Sequence, residues 1–156
     1  MSPYTATATA ARLAPAPELA RSSQLERVVR FESARWLPSL LSDLRSLETS
    51  GRNIAGVGDL RVAQATADNV RRLLTVAAET ALRESLSEPV LSPFSGGGVA
   101  VTWTLGNREL SFTVYPGHQD FVFARTDDND NTVEDGTLPL NQSNQLSNLI
   151  TAFLNR

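Results

Sequence analysis

The sequence contains no cysteine. Structural disulfides, thiolate metal sites and a cysteine nucleophile are therefore excluded, and the redox compartment is left undetermined. Lysine is also absent, so all 14 basic side chains are arginine. The overall field depends on charge count, so the physical consequence is small; the bias itself is associated with GC-rich, bacterial coding. No apolar run approaches the roughly 20 residues that a membrane span needs. The N-terminus lacks the apolar core of a secretory signal. A cytoplasmic protein with no membrane partner is expected. Net charge is −3, and a strongly basic face is the usual footprint of nucleic-acid binding. Arg21, Arg27, Arg30 and Arg35 gather in one helical segment, where a solvated helix face accounts for them. The composition argues against a nucleic-acid partner.

The chain has 156 residues, 41% hydrophobic and 20% charged, ordinary for a globular protein. That length suits one domain, able to bury roughly 70% of the surface its unfolded chain exposes. Residues 1–20 are dominated by small residues, Thr and Pro, and read as a flexible tail. The tail is Thr- and Ala-rich and acid-poor up to Pro17, as transit peptides are, but Arg12 is its only basic residue. Residues 21–156 read as a single α+β domain.

The stretch from Gly96 to Arg125 organises that domain. Two turn signals, Gly106-Asn107 and Pro116-Gly117, cut it into three runs that alternate apolar and other residues. Val99, Val101 and Trp103 share one face of the first run. Leu110, Phe112 and Val114 share one face of the second, and Phe121 and Phe123 one face of the third. Period-two alternation between such turns predicts an antiparallel meander with one buried face. Gly106-Asn107 suits a tight hairpin, and Pro116-Gly117 the central pair of a type II turn. Thr137 to Leu140 reads as a short fourth strand, confined to an edge by Pro139.

Helical spacing brackets the meander. Ser23 and Glu26 have the separation of a capping box, and Leu25, Val28 and Val29 begin a stripe. Trp36, Leu40, Leu41, Leu44 and Leu47 continue it. Pro38 predicts either a kink near Trp36 or two helices, the second carrying Pro38 in its first turn. Gly51 is a plausible stop. Arg52–Asp59 reads as a loop. A second helix begins near Asp59 or Thr66 and runs to about Leu86, with Val70, Leu73, Leu74, Ala77, Ala81 and Leu82 on one face. Pro89–Pro93 is extended and leads into the sheet. The last helix is amphipathic: Leu146, Leu149, Ile150, Phe153 and Leu154 follow at helical spacing, after a cap at Asn141 or Ser143. Its other side carries Gln145, Ser147, Asn148, Thr151 and Asn155. So uncharged a polar face suggests a contact surface. The fold expected is α+β: N-terminal helices, a three- or four-stranded antiparallel β-meander and a C-terminal amphipathic helix.

Chemistry-bearing residues are few. His118, the sole histidine, sits in a turn two residues from Asp120, with no activated nucleophile suggested nearby and no G-x-S-x-G elbow. A solvated turn residue accounts for it. The acidic loop 126–135 fails the EF-hand pattern, because Thr132 stands where glycine is needed and Leu138 where glutamate is needed. A loose cation site of Asp127, Asp128, Asp130 and Glu134 is the alternative to a solvated loop. Gly96-Gly97-Gly98 is followed by a strand and not by the helix N-terminus of a phosphate-cradling loop; a flexible lead into that strand fits better. Trp103 and Phe112 share faces with Val and Leu, so core packing explains them before base stacking does. Tyr115 falls on the other face.

Pro89-Val90-x-x-Pro93, then Gly97, Gly98, Val99, Val101 and Trp103, then Leu110, Phe112 and Val114, resembles a pattern in small uncharacterised bacterial proteins. These carry a helix, P-x-x-x-P, a Gly-Gly pair and a strand ending in Trp. The resemblance covers roughly residues 55–125. Where many members have Trp-Asp-Gly before the second helix, this chain has Gly56-Val57-Gly58-Asp59. Several such proteins are encoded beside toxin-like or mobile-element genes, which implies an antitoxin-like or defence-accessory role. The resemblance implies no catalytic residue.

Together these readings predict a non-enzymatic bacterial interaction protein with no cofactor and no bound metal, acting on a protein partner. Self-association into a structural oligomer is the alternative. An enzyme using the acidic loop and His118 is a third reading, which a deep pocket uniting Asp127, Asp130 and His118 would favour.

Overall fold

Proline is tolerated in the first turn of a helix, where its missing N–H would have no intrahelical partner. The first helix follows that rule: α1 spans Trp36–Thr49 and carries Pro38 in its opening turn. The residues that distinguish a kink near Trp36 from a separate preceding helix lie outside the described ones. A computed structural model describes residues 35–54, 58–81 and 86–155. The tail 1–20, the Ser23–Glu26 capping box, the stripe Leu25, Val28 and Val29, and Leu82 lie outside the described residues. Helix α1 ends where Gly51, at φ 72°, donates its N–H to the Ser46 carbonyl at 3.1 Å. Glycine takes this left-handed geometry without a Cβ penalty.

The described parts of Arg52–Asp59, expected as loop, are strand. Strands β1 (Arg52–Ile54) and β2 (Gly58–Leu60) pair antiparallel as a small hairpin. Helix α2 then spans Gln64–Thr80, starting near Thr66 rather than Asp59 and ending earlier than Leu86. Its inward stripe of Ala67, Val70, Leu73, Leu74 and Ala77 is fully buried. The alanines let it lie close to the sheet. Trp36 Nε1 donates to the Leu86 carbonyl at 3.2 Å, pinning the start of α1 to the segment beyond α2.

The sheet has five strands where three or four were expected: β3 (Val90–Phe94), β4 (Gly98–Leu105), β5 (Arg108–Val114), β6 (Asp120–Thr126) and β7 (Thr132–Pro139), in the order β3-β4-β5-β6-β7 and all antiparallel. The extended Pro89–Pro93 segment is itself an edge strand. The acidic loop is also shorter than expected, because Thr132–Asp135 belongs to β7. The turn at Gly96 and Gly97 is a tight hairpin with φ near 90° at both residues (92° and 89°). It is tied down by the Ala63 N–H, which donates to the Gly97 carbonyl at 3.0 Å. It is a docking point for the start of α2 rather than a flexible lead.

Register explains the core. Val99 pairs with Val114, Val101 with Phe112, Trp103 with Leu110, and Phe112 with Phe123. The alternating apolar sets therefore fall on one face. There the rings of Trp103, Phe121 and Phe123 surround Phe112 at centroid distances of 6.0, 6.1 and 6.4 Å. Helix α3 (Ser143–Leu154) buries Leu146, Leu149, Ile150 and Phe153. Its N-cap residue is Gln142, without a side-chain cap bond, so neither Asn141 nor Ser143 has the capping role expected. At the other end Arg108 Nη1 donates to the Phe153 carbonyl at 3.2 Å, with the guanidinium 5.8 Å from the Phe153 ring centre. A cation there offsets the negative end of the helix dipole. The architecture is a helical layer, α2 between α1 and α3, on one face of an antiparallel sheet. No helix among the described residues is long and apolar enough to cross a membrane.

Candidate functional site: a groove along α2

Helix α2 meets α3 on one flank and the turn between β5 and β6 below it. Elongated side chains on α2 and short ones on α3 leave a groove where these elements diverge. It contains three adjoining cavities of about 600, 500 and 550 Å³. The first is lined by Asp68, Asn69 and Arg72 of α2, by His118, Gln119 and Asp120, and by Leu140 and Asn141. The second shares Arg72, Leu140 and Asn141 with it and reaches the core at Leu73, Phe121 and Leu146. The third runs between Val76, Glu79 and Thr80 of α2 and Ser143, Asn144, Ser147, Asn148 and Thr151 of α3. From Ala65 to Thr80 the floor follows α2 for about 22 Å at 1.5 Å per residue.

The two walls differ in charge. The α2 wall carries Asp68, Arg71, Arg72 and Glu79. Arg71 is committed to the fold: it binds the Glu48 carboxylate of α1 and, at 2.7 Å, Asp68. The hydrogen bond to Glu48 holds its guanidinium above the ordinary value. The α3 wall in the third cavity is made only of hydroxyl and amide side chains. Residues 144, 147, 148 and 151 line one face because helical neighbours recur every three or four positions. Ser147 is joined to α2 by a hydroxyl–hydroxyl bond to Thr80 at 3.0 Å. Of the uncharged side predicted from sequence, Ser147, Asn148 and Thr151 face the groove; Gln145 and Asn155 are exposed elsewhere.

His118 lies at one end of this groove, exposed, with its ring 5.4 Å from that of Tyr115. Its N–H donates to the Tyr115 carbonyl at 3.4 Å and Gly117 has φ 76°, the type II turn expected of Pro116-Gly117. Asp120 lines the same cavity. The acidic residues of 126–135 do not join it. They stand at the far end of β6, roughly 20 Å away at 3.4 Å per residue. Asp127 organises its own turn, accepting from the Asn129 and Asn131 N–H groups at 2.9 and 3.0 Å. Those amide bonds, that of Asn131 foremost, hold its carboxyl below the usual range. Glu134 pairs with the buried Arg125 at 3.0 Å, and Asp128 lies 3.8 Å from Arg108. Among the described residues no three acidic or histidine side chains converge as metal ligands would. The structure does not bring Asp127 and Asp130 to the cavity that His118 lines.

No family model, no curated protein and no solved structure matches this chain.

The groove escaped sequence reading because its walls come from helices more than 60 residues apart. The one signal available was the uncharged side of α3.

Proposed function

We propose that this is a non-enzymatic bacterial interaction protein that acts by binding a protein partner, in the antitoxin-like or defence-accessory manner that its resemblance implies. The observation that carries the reading is the hydroxyl and amide wall of α3 facing α2 across an open groove. Side chains of this kind both donate and accept hydrogen bonds, so they can satisfy the backbone of an extended segment. A groove of about 22 Å accommodates six or seven extended residues at roughly 3.3 Å each. The apolar floor at Leu73, Phe121 and Leu146 gives an anchoring side chain somewhere dry to sit, where binding energy concentrates. Occlusion of the partner's surface is then the mechanism, and no bond is made or broken.

The test is co-expression of the tagged chain with the product of the adjacent gene. A stoichiometric complex is expected, lost in Asn148→Arg and Ser147→Arg and retained in Asp43→Arg, which alters the exposed side of α1. Failure to co-purify, or a complex indifferent to the groove variants, would contradict the reading.

A further inference from the structure

The sheet has a second face, opposite the helices, and no described element lies over it. Register places Val90, Thr102, Ser111, Ala124 and Asp135 in one row across it, and Ser92, Ala100, Thr113, Val122 and Thr137 in the next. Its middle is uncharged and its side chains are short. Glu109, Asp120 and Asp135 stand only at its rim. Four large hydrophobic side chains are exposed among the described residues: Val90, Tyr115, Val122 and Val133. Val90 and Val122 are on this face, and Tyr115 joins them at its corner, edge-on to Phe94 at 5.5 Å. An antiparallel sheet with one solvated face normally clothes it in polar side chains. Here the centre carries only short side chains, Ala100, Thr102, Ser111, Thr113 and Ala124, with Val122 among them.

We infer that this face is where two copies of the chain pack together, sheet against sheet. Three features favour a second copy over other occupants. A twofold axis through an uncharged centre brings no like charges together there. A hydroxyl both donates and accepts, so the Thr102–Ser111 pair, bonded at 3.3 Å, can equally satisfy its own copy across the axis. The area fits a weak, reversible pair: five strands about 4.8 Å apart and about 20 Å long present roughly 500 Å² per copy, hence roughly 1,000 Å² in a pair, the size at which specific but transient interfaces begin. Short side chains permit the approach of about 10 Å at which sheets stack. The groove along α2 is on the opposite layer, so dimerisation leaves it open.

The experiment is the solution mass of the full chain by light scattering from about 1 to about 100 μM, a range spanning weak to moderate association for an interface of this size. The result expected is a rise to twice 16.9 kDa, reversed by Val122→Arg and by Thr137→Arg, with Asp43→Arg still dimeric. Both arginines replace exposed side chains, and an unchanged circular dichroism spectrum shows that each variant folds. A monomer throughout would overturn the inference, as would a dimer that tolerates both arginines. A third arm uses the cysteine-free background. Val122→Cys is expected to react freely with a thiol reagent at the lowest concentration and slowly at the highest. A thiol already unreactive in the monomer would mean that the chain covers the face with its own residues, which also overturns the inference.

Discussion

Gly98 pairs with Phe94 across the β3–β4 hairpin, and the absence of a side chain there is what lets the Phe94 ring lie over the strand. A Cβ built at Gly98 falls 2.2 and 2.4 Å from Phe94 Cζ and Cε2, and 2.9 Å from the Val114 carbonyl oxygen. Carbon contacts settle at about 3.5–4.0 Å, so Gly98→Ala forces the ring back by more than an ångström. Overpacking of this kind costs about 1–3 kcal/mol, and the loss of the edge contact with Tyr115 adds about 0.5–1.5 kcal/mol. Gly98 does not have a positive φ, so alanine recovers about 0.4–1 kcal/mol by restricting the unfolded chain. The net expectation is a loss of about 1–4 kcal/mol. In a Phe94→Ala background the ring, the source of the two shortest contacts, is gone, while the Val114 oxygen at 2.9 Å remains. The same substitution should then cost at least 1 kcal/mol less, a coupling well above the roughly 0.3–0.5 kcal/mol scatter of independent sites. Urea unfolding of the four proteins of the cycle, at one fixed protein concentration, measures this. Equal costs of Gly98→Ala in both backgrounds would refute the argument that the ring, and not the backbone, makes glycine necessary.

Three further outcomes follow from single contacts. Thr66 Oγ1 is fully buried without a hydrogen-bond partner, so Thr66→Val, which keeps the shape, should stabilise by about 1 kcal/mol; a loss in urea midpoint would mean that the hydroxyl is bonded after all. Arg108→Ala removes both the bond to the Phe153 carbonyl and the contact with its ring, and should cost about 1–2 kcal/mol and speed amide exchange in the last turn of α3; unchanged exchange there would contradict the capping role. Asp127 has a folded-state pKa below its unfolded value, so its contribution is present above about pH 3.9 and is lost as pH falls through the lowered value. Asp127→Asn should flatten that part of the acid unfolding profile, and an unaltered profile would contradict the turn-organising role.

The central sheet was legible because its strands alternate: Val99, Val101 and Trp103, then Leu110, Phe112 and Val114, repeat every second residue, and Gly106 and Pro116-Gly117 mark the turns between them. The helix at Trp36 was legible through its apolar stripe, Trp36, Leu40, Leu44 and Leu47, all buried, while Pro38 left both a kink and a fresh start open. The edges were not. Val90–Phe94 is flanked and interrupted by Pro89 and Pro93, which a sequence reading takes as extended but unpaired. Thr132–Asp135 hides in β7 because its core-side residue is Glu134, an acid whose place there depends on Arg125 from the neighbouring strand. No local pattern shows such a pair. The small hairpin at residues 52–60 is too short for alternation to register. The groove depends on how α3 returns along α2, a tertiary fact. Its α3 wall could be noticed as uncharged, but sequence had no means of saying what it would face.

Isotopically labelled chain titrated with the product of the adjacent gene, with backbone amide shifts read residue by residue, tests the proposed function most directly. The account predicts shifts concentrated along residues 65–80 of α2 and 143–151 of α3, with the second sheet face around Val122 unmoved. Shifts confined to that sheet face, or no shifts at saturating partner, would contradict it.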